Sequence, residues 1–226
     1  MKKFQLDIVD RHAIITEGDN VILIDTGSPF TINQTSEFYF LEKAHRVKTS
    51  FSGASATNIS ILVNHNITTI LGIDILSKYN IEFNYLENEV TFFDPEENFT
   101  PEGNHLTITS TSGIPVIPAI VDGKQTNLFI DCGAKFSYIR KEFTLNKKRV
   151  QSEEDFYPGH GKFNINLFEL PVLIGGNPIE TLFGVLPDRL SSLLSVNHGL
   201  IGSDLFLKHK VYLSLSEKYI MICRYE

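Results

Sequence analysis

Short runs rich in Ile, Val, Phe, Leu and Thr recur along the chain, broken by Gly, Asp and Asn, and 3.6-residue periodicity is scarce. Gln5 to Thr16 reads as a strand, Gly18-Asp19-Asn20 as a tight turn, and Val21 to Ile24 as the partner strand. Ile114 to Val121, Asp122-Gly123 and Thr126 to Ile130 repeat that arrangement. Helical spacing is confined to short stretches at Ile73 to Tyr79, Arg189 to Leu194 and Asp204 to His209. The pattern predicts an all-β fold.

The halves repeat one another. Ile22-Leu23-Ile24-Asp25-Thr26-Gly27-Ser28 lies over Leu128-Phe129-Ile130-Asp131-Cys132-Gly133-Ala134, and Ile70-Leu71-Gly72 lies over Leu200-Ile201-Gly202. Ile81 to Phe92 and Val211 to Ile222 then each read as strand, turn and strand. The two signatures stand 47 residues apart in the first half and 71 in the second. A polar, Pro-marked stretch separates the halves. The expected organisation is a lobe at 1–94, a linker at 95–105 and a homologous lobe at 106–226, with a cleft between the lobes.

A carboxylate directly after apolar strand residues is expensive to bury unless it is hydrogen-bonded or shares a proton. The Gly two positions on lets backbone approach closely and turn tightly. Two such sites at matching positions can meet at a twofold axis. Carboxylates about 3 Å apart cannot both ionise, so they hold one proton between them. One then activates water while the other protonates a carbonyl oxygen or a leaving amine. Asp25 and Asp131 are the candidate catalytic pair.

The ordered pair of motifs in both halves resembles aspartic proteases of the retropepsin and pepsin type, over nearly the whole chain. Each half matches a viral retropepsin subunit in size, and the two are fused as in pepsins. The resemblance implies an aspartic endopeptidase in which Asp25 and Asp131 hold the lytic water, with no covalent intermediate, metal or cofactor. It implies that Gly27 and Gly133 keep the two loops tight and that Thr26 sends its hydroxyl across to the opposite loop. Cys132 stands where Thr or Ser is usual, and a thiol is a weak donor and acceptor. The fourth positions, Ser28 and Ala134, differ as well. Ser28 is expected to donate its hydroxyl to Asp25, leaving Asp131 as the protonated partner. Among relatives, loss of this hydroxyl on one lobe goes with activity nearer neutrality.

The resemblance also implies a β-hairpin flap between the two signatures of a lobe. The longer second half accommodates one with its turn at Asp155 to Phe163, where Tyr157, Gly159, His160 and Gly161 would meet a peptide. The first half has a short flap or none, with a stub around Phe51-Ser52-Gly53-Ala54.

The remaining composition narrows the partners. A formal charge of -7 argues against nucleic acid, and the densest basic run, Lys147-Lys148-Arg149, is followed by Glu153-Glu154-Asp155. No stretch approaches about 18 uninterrupted apolar residues, so no membrane span is expected. Asp7, Asp10, Arg11 and His12 interrupt any signal-peptide core, and two cysteines make no disulfide framework, so the expected site is the cytoplasm. Only 24 residues precede Asp25, which leaves little room for an inhibitory propeptide. Both carboxylates lie in one chain, so a monomer acting on a peptide or protein is expected. Asp74 and Asp204 read as helix N-caps without chemistry, and most of the seven His residues read as surface groups without metal-ligand spacing. The alternatives are a catalytically silent peptide-binding or interaction module, favoured by Cys132 and the short first lobe, and a cysteine hydrolase using Cys132.

Overall fold

The structure, a computed structural model, describes residues 1–97, 104–194 and 197–225. The chain is all-β apart from a few short helices. The middle of the expected linker, 98–103, lies outside the described residues.

Both halves contribute to a six-stranded antiparallel sheet in the order Lys2–Gln5, Glu89–Phe93, Asn80–Asn84, His209–Ser214, Tyr219–Arg224, Leu106–Thr107. The halves join where Ile81 pairs with Leu213 and Phe83 with Val211. These four alternate residues are fully buried and point into one cluster that also takes in Phe4, Leu128, Ile130 and Phe206. The sheet therefore fixes one half against the other beneath the site.

Above it, each half builds the same local device. In the first, Asn20–Ile24 runs parallel to Thr69–Leu71, with Ile24 opposite Leu71. In the second, Lys124–Ile130 runs parallel to Gly199–Ile201, with Ile130 opposite Ile201. Parallel neighbours need a crossover, and the intervening segments supply it. The turn at Asp122 and Gly123 has both residues at positive φ, 50° and 76°, as a two-residue hairpin requires.

Several expectations need correction. The expected single strand from Gln5 to Thr16 is three strands, Lys2–Gln5, Asp7–Val9 and His12–Glu17, the last two forming a hairpin. Asp10 and Arg11, both at positive φ, make its turn. The helical stretch expected at Arg189 to Leu194 is a 3-10 helix, Asp188–Leu194. A helix not anticipated at all, Ala56–Val63, follows the Phe51 to Ala54 turn, capped by the Ser55 hydroxyl, which accepts from the Asn58 amide. Asp74 and Asp204 are not caps; Gly72 and Ser203 hold those positions. Lying just inside their helices, the two carboxylates reach neighbouring loops instead. Asp74 accepts from the Thr31 amide and hydroxyl at 2.7 and 2.6 Å. Asp204 accepts from the Thr181 hydroxyl at 2.8 Å and pairs with Arg11. Two histidines, His12 and His209, are buried rather than surface groups.

The first half's hairpin, Glu37–Phe40 with Lys43–Arg46, does not cover the site. Phe38 and Phe40 turn into the core, where Phe40 meets Phe92 edge-on at 5.2 Å. Among the described residues no helix is long and apolar enough to cross a membrane.

Candidate active site

Each strand Asn20–Ile24 and Lys124–Ile130 ends at an aspartate whose amide is held by the parallel neighbour. The Asp25 amide donates to the Leu71 carbonyl and the Asp131 amide to the Ile201 carbonyl, both at 3.0 Å. The chain then turns back, and the amide two residues on donates to the same carboxylate: Gly27 to Asp25 at 2.8 Å, Gly133 to Asp131 at 3.0 Å. Gly72 and Gly202 lie beneath these turns. A Cβ on Gly72 would fall 2.5 Å from the Phe30 carbonyl, and one on Gly202 equally close to that of Phe136. The apolar-apolar-Gly signature is thus a packing requirement of the Asp-x-Gly turn above it.

The two turns bring Asp25 and Asp131 together. Each carboxyl sits against the opposite turn: a Cβ on Gly27 would lie 2.3 Å from the Asp131 carboxyl carbon, and one on Gly133 2.5 Å from that of Asp25. Gly27 and Gly133 make that approach possible, because a Cβ on either would run into the opposite carboxyl group. Both carboxyls line the cleft, yet protein surrounds them closely enough that desolvation dominates their titration. It pushes Asp25 up to about 6, against donation from the Gly27 and Ser28 amides. Desolvation, then the charge of Asp25, raises Asp131 well above the ordinary carboxylate range. A pair in this state holds one proton over the range between its two titrations.

The loops also grip one another. The Thr26 hydroxyl donates to the Ile130 carbonyl and accepts from the Cys132 amide, each at 2.9 Å. Cys132 returns both contacts at sulfur lengths, accepting from the Thr26 amide at 3.4 Å and donating to the Ile24 carbonyl at 3.3 Å. Burial raises the Cys132 thiol pKa strongly, the opposite of what a thiolate nucleophile needs. The expected role of the fourth residue needs correction. The Ser28 hydroxyl donates to the Phe30 carbonyl at 2.8 Å, leaving only the Ser28 amide for Asp25, and the Ala134 amide serves Asp131 in the same way. The backbone turn aims the Ser28 side chain away from the pair.

A cavity of about 340 Å³ lies over the two carboxyls, walled mainly by apolar residues of both halves. Its roof is the hairpin Arg149–Tyr157 with Gly161–Glu169. Tyr157 lines the same cavity as the pair, and burial, then the charges of Asp131 and Asp25, raise its phenol. Gly159, at the tip, meets Gly53 of the first half: a Cβ on Gly53 would lie 2.5 Å from the Gly159 Cα. His160 packs edge-on against Phe163 at 6.0 Å, and neither it nor Gly161 lines the cavity. The Phe51 to Ala54 segment is a closed two-residue turn, its ends exchanging hydrogen bonds at 2.8 and 2.9 Å.

Several cavity residues make contacts that the sequence alone does not specify. Asp155 is buried and accepts from the Tyr138 hydroxyl, fixing the hairpin to the second half. His12, 2% exposed, stacks on Phe156 at 5.7 Å, and Lys135 pairs with Asp10 at 2.7 Å. The polar run Asp10-Arg11-His12 was the available signal, since it interrupts an otherwise apolar strand.

No protein-family model matches the chain, and no curated protein matches it. Among solved structures, the solution structure of the simian foamy virus (mac) protease is similar, with 18% sequence identity and a TM-score of 0.32. That similarity covers 40% of this chain and 90% of the viral one.

Proposed function

We propose that the chain is a single-chain aspartic endopeptidase of the retropepsin and pepsin type. Its two homologous lobes, 1–94 and 106–226, are joined by the linker 95–105, and Asp25 and Asp131 are the catalytic pair. The observation that carries this reading is the close approach of each carboxyl to the opposite Asp-x-Gly turn, both with raised pKa, on the floor of a roofed apolar cleft. The duplication is supported by the matching parallel strand pairs and by the equivalent positions of Gly72 and Gly202.

With one proton on the pair, the ionised carboxyl takes a proton from a water held between the two as that water's oxygen bonds to the peptide carbonyl carbon. The protonated carboxyl gives its proton to the carbonyl oxygen, and a gem-diol results. The proton taken from water then passes to the amide nitrogen, the C–N bond breaks, and the second hydroxyl proton returns to the pair. Every proton is accounted for within the two carboxyls, and no covalent intermediate forms. A peptide would lie extended between the floor and the hairpin, with Tyr157 closing over it and excluding water. That Cys132 makes both cross-contacts supports an active enzyme over the silent-module alternative.

The test is hydrolysis of a peptide library in 18O-labelled water. One labelled oxygen in each new carboxyl terminus, with no acyl-enzyme in rapidly quenched samples, is the expected result. A trapped acyl-enzyme, or intact peptides throughout, would overturn the reading.

A further inference from the structure

The hairpin strand Arg149–Tyr157 divides its side chains between the two halves, as strand alternation allows. Asp155 is tied to Tyr138, and Tyr157 packs on a second-half cluster that includes Phe136 and Phe163. Phe156, between them, packs instead against a first-half cluster that includes Leu23, Ile32, Ile59 and Ile70. The same four residues line the cavity containing Asp25 and Asp131. The Phe156 ring lies nearly parallel to the His12 imidazole, at 20° and 5.7 Å. A side chain of the roof therefore covers apolar wall that a bound peptide would use.

We propose that Phe156 is a resident occupant of a first-half side-chain pocket, and that a substrate binds by replacing it with an aromatic residue of its own. The inference deepens the peptide-cleft reading and rests on it. An aromatic ring is favoured over a branched aliphatic one because the buried His12 ring offers a flat partner that is left unstacked when Phe156 leaves. Displacement is sterically accessible, since Arg149–Tyr157 is the edge strand of its sheet and can shift without breaking a ladder on its outer side. A small residue cannot restore the apolar packing that Phe156 gives up. A peptide with a small residue therefore leaves Phe156 seated, whereas a large side chain must offset its displacement, so the occupant keeps the wall covered and lowers the net gain from a large side chain.

The test uses octapeptides of one Ala/Ser/Lys sequence that differ only in the fourth residue, as Ala, Leu or Phe. Each is titrated calorimetrically into Asp25→Asn protein carrying either Phe156 or Phe156→Ala. With the occupant removed, the preference for the Phe over the Ala peptide should grow about tenfold or more, with Leu between them. Phe156→Leu, which keeps an apolar filler, should give an intermediate increase and carries the comparison if the alanine variant does not fold. An equal preference in all backgrounds, or no binding of the Phe peptide once the ring is removed, would overturn the inference. Treating the unsubstituted chain with the Phe peptide and weighing the products separates the two readings. A shifted preference without cleavage would count against the protease and leave the pocket assignment standing; cleavage with an unshifted preference would do the reverse.

Discussion

Thr26 and Cys132 hold the two Asp-x-Gly turns together through unlike side chains, the hydroxyl bonding at 2.9 Å and the sulfur at 3.3 to 3.4 Å. The grip is complete in connectivity and unequal in strength. Thr26→Ala would leave both the Cys132 amide and the Ile130 carbonyl without these partners, at about 1–3 kcal/mol each. Cys132→Ala would likewise leave the Thr26 amide and the Ile24 carbonyl without these partners, but the sulfur bonds given up are weaker, so it should cost less, about 1 kcal/mol. Urea unfolding checks the order; a Thr26 variant no less stable than the Cys132 variant would contradict it.

Gly53 and Gly159 meet where the roof crosses to the first half, and Gly53 has a φ of +85°. Gly53→Ala should therefore do two things: strain the backbone by about 1–2 kcal/mol and push the hairpin tip away, raising KM several-fold. Gly123 has a similar φ of +76° and nothing within 4 Å. Gly123→Ala should show comparable strain with KM unchanged. Equal KM values for the two variants would place substrate closure elsewhere.

What was legible in the sequence was local and repeated. An apolar strand ending in Asp-x-Gly carries its own reason, and its second copy led directly to the expectation that Asp25 and Asp131 meet. The hairpin ending near Gly159 was legible because the second half has 71 residues to place between its signatures. Helix Ala56–Val63 escapes the sequence reading although Ala56, Ile59 and Val63 are its buried residues at helical spacing, because eight residues carry too few apolar positions to stand out beside the Phe51 to Ala54 turn. Long-range pairings had no sequence signal at all. Nothing in the order of residues ties Tyr138 to Asp155 or Arg11 to Asp204, since each depends on how separate strands come to rest. The direction of the Ser28 hydroxyl failed for a smaller reason: the turn that aims Asp25 at its partner aims the next side chains away.

The raised carboxyls predict how stability depends on pH. Asp25 titrates near 3.8 in an unfolded chain and at about 6 here, so the folded state binds more protons between those values. Stability from this group is full below about 4 and is lost as pH rises through about 6. Asp25→Asn removes that loss. Thermal melts should find the variant more stable than the unsubstituted chain at pH 8, on the order of 2 kcal/mol, and close to it at pH 4. A variant destabilised equally at both values would mean that the carboxyl is not strained by its surroundings.

The fourth residue of each turn should matter little to titration. With the Ser28 hydroxyl on the Phe30 carbonyl, a serine at 134 would find the Phe136 carbonyl in the equivalent place. Ala134→Ser and Ser28→Ala should both leave the limbs of the pH-rate profile within about half a unit of their original positions. A limb moved by a full unit or more would return the hydroxyl to the carboxylate.

Both carboxyls belong to one chain, so hydrolysis per molecule should not change on dilution to a monomer verified by sedimentation. A fall in specific activity with the fold intact would require a second chain at the site.

The most direct measurement is turnover of one cleaved peptide by Asp25→Asn and Asp131→Asn, each shown by circular dichroism to be folded. An amide keeps the shape of the carboxyl and cannot exchange the proton, so each variant should lose at least about a thousandfold in kcat while still binding the peptide. Near-normal kcat from either folded variant would contradict the shared pair.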